Sequence, residues 1–192
     1  MSIRTFLALP LDESIIEKLA DARRSLSSAG ARVRWVAGEN LHLTIKFLGD
    51  VTDEQLPEVC RVAEESARQV EPFEFSVSSV TSVPQAGAMR MVWVGIDEPT
   101  GLLGKLHELL EQAYAEMGFE KENRSFRPHL TLGRVKGGRN VKQLRAAITE
   151  IEDTEFGIAS INEIIVFSSK LTPDGPIYSP MAKAKLGNSA LL

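Results

Sequence analysis

The sequence predicts an α+β fold of two lobes related by a pseudo-twofold. Each lobe is a mostly antiparallel sheet with helices on its outer face, and the cleft between the lobes is the natural place for an active site. Three observations predict this. Extended and helical patterns alternate in the order β-α-β-β-α-β, then β-α-β-α-β-β, which suits antiparallel sheets with hairpins. The two halves match when shifted by 87 residues. The tripeptide His-Leu-Thr occurs twice at that spacing, as His42-Leu43-Thr44 and His129-Leu130-Thr131. The 192 residues and 21.1 kDa are enough for one core without disulfides or metals. We therefore expect a single bilobal domain over 1–192, with approximate halves 1–87 and 88–183.

The elements follow from local pattern. Thr5–Leu9 is a short apolar run ended by Pro10 and reads as a strand. Asp12 or Ser14 caps a helix carrying Ile15, Ile16, Leu19, Ala22, Arg23 and Leu26, which Gly30 ends. Arg34–Val36 is extended, and Leu41–Leu48 alternates until Gly49-Asp50. Thr52 or Asp53 starts a helix that runs to about Val70, before Pro72. Phe73–Val83 and Met89–Ile96 read as strands, and Thr100–Met117 as a helix closed by Gly118. Pro128–Val135 is a strand, Val141–Ile151 a helix, Ile161–Leu171 a strand, and Tyr178 lies in a last extended piece. The 87-residue shift lays Phe6–Leu9 on Trp93–Ile96, Glu13–Leu26 on Thr100–Ala113, and Glu74–Val83 on Ile161–Lys170.

Composition narrows the function classes. One cysteine, Cys60, excludes an internal disulfide and a zinc site of the CxxC kind. No apolar run approaches the ~20 residues of a membrane helix. The N-terminus has no basic region followed by a long apolar stretch, so a cytoplasmic protein without membrane association is expected. The net charge of −4 argues against a protein that coats nucleic acid. That total hides a local excess. Between Lys121 and Arg145 eight basic residues face Glu122 alone, a balance of +7 around His129, which leaves −11 elsewhere. Such a collar suits the end of a polyanion. Lys142 and Arg145, on a helix, read instead as a solvated face.

Side chains at i and i+2 of a strand share a face. Leu43, Ile45 and Phe47 therefore form a core face, and His42, Thr44 and Lys46 point away from it. In the second copy Arg127, His129 and Thr131 oppose Leu130 and Leu132. Arg134 falls on the apolar side under strict alternation and needs a bulge or strand end to reach the cleft. Across a twofold these sets place two imidazoles, two hydroxyls and one or two cations around a common space. A histidine titrates near pH 6.5, so one neutral and one charged ring can serve as general base and general acid. The hydroxyls and cations suit a phosphate between the rings. His107 reads as a boundary residue of its helix, and three scattered histidines without a cysteine partner give no metal site. Trp35, Trp93, Phe6 and Tyr178 are candidates for stacking on a base, although core packing is the commoner fate of such rings.

Together with Arg34-Trp35-Val36, the segments Glu39–Gly49 and Phe126–Arg134 resemble the 2H phosphoesterase superfamily. Within it the chain is most similar to the bacterial and archaeal RNA 2′,3′-cyclic phosphodiesterases, formerly called 2′-5′ RNA ligases. The likeness includes Arg4–Ala8, Arg90–Trp93 and Pro173–Tyr178. It implies hydrolysis of a 2′,3′-cyclic phosphate on an RNA end to a 2′-phosphate, without metal or other cofactor. It also implies that His42 donates a proton to the leaving 3′-oxygen, that His129 takes one from water, and that Thr44 and Thr131 hold the non-bridging oxygens. Arg127, Lys46 and Arg134 are added as phosphate ligands from face alternation and position. RNA ends or small cyclic nucleotides are the expected partners, and a monomer is expected. Alternatives are 2′-5′ ligation, a cyclic phosphodiesterase for another small nucleotide, and an RNA-end binding module without turnover.

Overall fold

The structure, a computed structural model, describes residues 2–173 and 175–187. Asp174, in one of the segments just quoted, lies outside the described residues. The chain runs β1 (Ser2–Leu9), α1 (Glu13–Ser27), β2 (Val33–Trp35), a 3-10 turn over Gly38–Asn40, β3 (Leu43–Thr52), α2 (Leu56–Ala67) and β4 (Phe73–Val83). It continues through β5 (Met91–Asp97), α3 (Leu102–Glu116), β6 (His129–Val135), α4 (Val141–Glu150), β7 (Glu155–Ile161), β8 (Glu163–Thr172) and β9 (Gly175–Lys185).

Two antiparallel sheets form, in the orders β3-β1-β8-β9 and β2-β6-β5-β4-β7. Helices α2 and α3 cover the first sheet, and α1 and α4 cover the second. Helix α3 presents Leu103, Leu106, Leu110 and Tyr114 along one buried stripe. The Tyr114 hydroxyl donates to the Val59 carbonyl at 2.9 Å, fixing α3 to α2. Leu7, Leu9, Leu43, Leu130 and Leu132 are fully or almost fully buried. Each such side chain stabilises the fold by about 1.5–3 kcal/mol relative to exposure. No helix among the described residues is long and apolar enough to cross a membrane.

The sheets do not follow the halves of the sequence. The 87-residue shift carries β1 to β5, β3 to β6, α1 to α3 and β4 to β8. Yet β4 pairs with β5 and β8 pairs with β1. Each lobe is therefore built from strands of both halves, and a helix of each half covers the sheet holding the other half's histidine strand. The cut near residue 87 divides the repeat, not the lobes. One strand, β7, has no counterpart in the sequence reading. It is an edge strand whose period-2 pattern is interrupted by Gly157, at φ +142°.

Candidate active site

His42 closes the turn before β3, between the buried Leu41 and Leu43. Its Nε2 lies 3.0 Å from the Thr44 Oγ1, and a hydrogen bond to the backbone of Asn40 holds the ring from behind. His129 opens β6, and its Nδ1 lies 2.8 Å from the Arg127 carbonyl. A carbonyl only accepts, so Nδ1 carries the proton and Nε2 is the basic nitrogen. Asn40 and Arg127 are again 87 residues apart. Both rings are thus held by the main chain two residues upstream.

Each ring also rests on an aromatic platform. Phe6 of β1 stacks on His42 with centroids 4.9 Å apart. Trp93 of β5 stacks on His129 at 3.6 Å. Phe6 and Trp93 stand 87 residues apart as well. Tyr178 meets both His42 and Phe6 edge-on, at 5.3 and 4.9 Å, and Phe167 lies behind them. Burial drives the His42 ring down to about 4. It also lowers His129, with the Arg134 guanidinium adding to the effect. Burial thus favours the neutral form of both rings in the free protein.

The strands bulge at matched positions, and this corrects two expectations. In β3, Lys46 pairs with Leu7 and Thr44 with Ala8, leaving Ile45 as the extra residue. In β6, Gly133 pairs with Val92 and Thr131 with Trp93, leaving Leu132 extra. A bulge reverses which face the following residues use. Lys46 consequently turns away from His42. It is buried, with its Nζ 2.8 Å from the Glu111 Oε1 and donating to the Glu120 carbonyl at 2.7 Å. It is no phosphate ligand in this arrangement. Phe47 takes the cleft side instead, 63% exposed and 5.8 Å from Phe6. The counterpart of Phe47 at the 87-residue spacing is Arg134, which the bulge in β6 brings to the His129 face.

Arg134 joins the two faces. Its charge acts on His129 and also on Tyr178, which packs against His42. Thr131 lies on the same face of β6, half-buried opposite Trp93. Arg127 precedes the strand, so alternation does not govern it. Its side chain is exposed, and its contact with His129 runs through its carbonyl.

The remaining candidates are structural. His107 is half-buried, stacked on Phe126 at 4.0 Å and 3.7 Å from Glu111. Arg145 is not a solvated charge as expected. Its guanidinium donates to the Ser82 hydroxyl at 2.8 Å and to the carbonyls of Gln85 and Gly87, pinning that loop. Lys142 is exposed. Trp35 packs over Gly133, whose hypothetical Cβ would lie 2.8 Å from the indole and 2.6 Å from Val33. Among the described residues no group of three or more His, Cys, Asp or Glu is placed to hold a metal ion.

Sequence reasoning missed Phe47 because alternation assigned it to the core. The signal that could have found it is its 87-residue partnership with Arg134, a residue whose own face the pattern left unresolved.

The chain resembles known proteins over nearly its full length. The model of the family described as "LigT like Phosphoesterase" matches twice, over residues 9–93 and 94–178. An RNA 2′,3′-cyclic phosphodiesterase of Methanothermobacter thermautotrophicus is 39% identical, over 97% of this chain and 100% of that protein. One of Thermotoga maritima is 32% identical, over 92% and 91%. Among solved structures, E. coli LigT complexed with 3′-AMP superposes with a TM-score of 0.78 at 25% identity, covering 97% of this chain and 99% of that one. The repeat read from the paired histidines coincides with two tandem matches to one family model, and the chain belongs to the LigT like phosphoesterase family.

Proposed function

We propose that the protein hydrolyses a 2′,3′-cyclic phosphate at an RNA end to a 2′-phosphate, using His42 as proton donor to the leaving 3′-oxygen and His129 as proton acceptor from water. One observation carries the reading. Two histidine rings recur at one spacing, each fixed by the main chain two residues upstream and each backed by an aromatic ring, on faces that share Arg134. The relatives' names, RNA 2′,3′-cyclic phosphodiesterase, point to the same reaction.

The charge state follows from the substrate. A neutral His129 with Nε2 free of a proton is ready to act as a base. His42, pushed down to about 4, becomes an acid only beside an anion. A monoanionic phosphate ~4 Å away, at an effective dielectric of about 20, favours the imidazolium by about 4 kcal/mol. That corresponds to roughly three pKa units and returns His42 to near neutrality. Thr44, which bonds His42 in the free protein, and Thr131 would then hold the non-bridging oxygens. Arg134 supplies the cation, and Arg127 can add to it from the rim. The proton transfers are made by these side chains alone, without a metal ion. General acid and general base are each worth about 10²- to 10⁴-fold in rate.

RNA ends or small cyclic nucleotides are the substrates in this reading, bound by a monomer in the cytoplasm. The test is hydrolysis of a nucleoside 2′,3′-cyclic phosphate by His42→Ala and His129→Ala, with and without EDTA. Both variants should be inactive, and EDTA should be harmless. Full activity in either variant, or loss of wild-type activity in EDTA, would overturn the proposal. Binding without conversion by the unmodified protein would instead support the non-catalytic RNA-end module.

A further inference from the structure

The two histidine platforms are equivalent in position but not in kind. His42 stacks on Phe6 at 4.9 Å and 28° between planes. His129 stacks on Trp93 at 3.6 Å and 19°. Indole carries the strongest face-on attraction for a cation of any side chain, and phenyl a weaker one. The attraction falls with distance, so both differences favour positive charge at His129.

Trp93 also incurs a cost. Its indole Nε1 is buried and has no hydrogen-bond partner among the described residues. A buried, unmatched donor is destabilising, and a phenylalanine would avoid it. Phe6 shows that a phenyl ring suffices to pack against a histidine at this position of the repeat. The indole is therefore explained by its face rather than by its fit.

We propose that Trp93 is the positioning residue that makes His129 the base: its π face stabilises the imidazolium formed when Nε2 takes a proton from the attacking water. This rests on the reading of His129 as proton acceptor given above. The proton passes from water to Nε2, hydroxide character develops on the oxygen that attacks phosphorus, and the positive charge stays on the ring over the indole. The Phe6 platform under His42 is longer and weaker, so the near-symmetric site acquires a direction. The Arg134 guanidinium opposes the charge at His129. Arg134 follows on the same strand, and Arg34 of β2 pairs opposite Arg134. On β5, Gly95 is the residue directly across from His129 and adds no charge. The Arg127 carbonyl favours the protonated ring.

The test is isosteric. Trp35, the only other tryptophan, is replaced by Phe, and Trp93 is substituted biosynthetically with mono-, di- and trifluorotryptophan. NMR titration then follows each histidine ring in the full-length protein. Fluorination weakens the π face without changing shape or hydration. The His129 pKa should fall stepwise, by about 0.5–1 across the series, while His42 stays in place. The acid limb of kcat/KM should follow it. Trp93→Leu would remove the cover and the π face together, with opposite effects on the ring, so the fluorination series, which keeps the cover, is the deciding measurement. A flat fluorination series overturns the inference. The two proposals fail separately: turnover that survives His129→Ala removes the base itself, whereas a flat series in a protein that still needs His129 removes only Trp93's part.

Discussion

Ile45 and Leu132 stand 87 residues apart, and each is the extra residue of a β-bulge directly after a threonine of the His-Leu-Thr pair, Thr44 or Thr131. The bulges decide which cation the site contains. Upstream of them His42, Thr44, His129 and Thr131 lie on the cleft side. Downstream the faces exchange, so Lys46 goes to the core and Arg134 goes to the cleft.

Arg134 should therefore matter for substrate and Lys46 should not touch it. Losing a charge-assisted hydrogen bond costs about 1.5–3 kcal/mol. Arg134→Ala should lower kcat/KM for a 2′,3′-cyclic nucleotide by roughly 10- to 100-fold, with Arg134→Lys recovering part. Arg127→Ala, at an exposed side chain, should cost less than Arg134→Ala. Steady-state kinetics on the three variants decides the order.

Lys46 should act on stability. With its ammonium on Glu111 and on the Glu120 carbonyl, it ties β3 to α3 and to the loop leading to His129. Breaking a buried pair by removing one partner costs about 3–5 kcal/mol. Glu111 retains some exposure, so the lower end applies. Urea denaturation should show Lys46→Met strongly destabilised and the double variant Lys46→Met/Glu111→Leu substantially recovered. Equal destabilisation in both would mean that packing, not charge, dominates there.

Acid should destabilise the fold through His42. Its folded pKa, about 4, lies below the unfolded 6.5. Between these values the unfolded chain binds a proton that the folded protein does not. Stability is thus full above about pH 6.5 and declines as pH falls to about 4. The loss over that window is about 3 kcal/mol. Replacing His42 with Asn should flatten this part of the stability-versus-pH curve, measured by urea unfolding at successive pH values.

The anion should reverse that shift. Titrating the His42 ring by NMR with a nucleoside 2′-phosphate bound should raise its pKa toward neutrality. A ring that stays near 4 in the complex could not act as the donor at pH 7.

Gly133 offers a steric check of the bulge. A Cβ there would meet Val33 and Trp35 well inside contact distance. Gly133→Val should cost about 1–3 kcal/mol by overpacking, whereas Gly137→Val, in open space, should be near neutral. Thermal denaturation of the two variants separates them.

Much of this was legible in the sequence, for identifiable reasons. The paired His-Leu-Thr tripeptides sit before the bulges, where period-2 alternation still holds, so His42, Thr44, His129 and Thr131 fall on the expected face. Lys46 and Phe47 sit after a bulge, and a one-residue insertion in a ladder leaves no mark in the hydrophobic pattern. Arg134 was recognisable only as a conflict between its charge and its apparent face. The exchange of β4 and β8 between lobes was hidden for another reason: pairing partners depend on long-range packing, and both strands read identically whichever sheet they join. The lowered pKa of both rings was equally invisible, because it arises from burial in the folded protein, with the Arg134 charge adding at His129.

The measurement that bears most directly on the two-histidine account is product identification on a short RNA ending in a 2′,3′-cyclic phosphate. With His42 protonating the 3′-oxygen, the product should carry its phosphate on the 2′-position, and neither His42→Ala nor His129→Ala should form it. A 3′-phosphate product, or a 2′-phosphate formed equally well without either ring, would contradict the account.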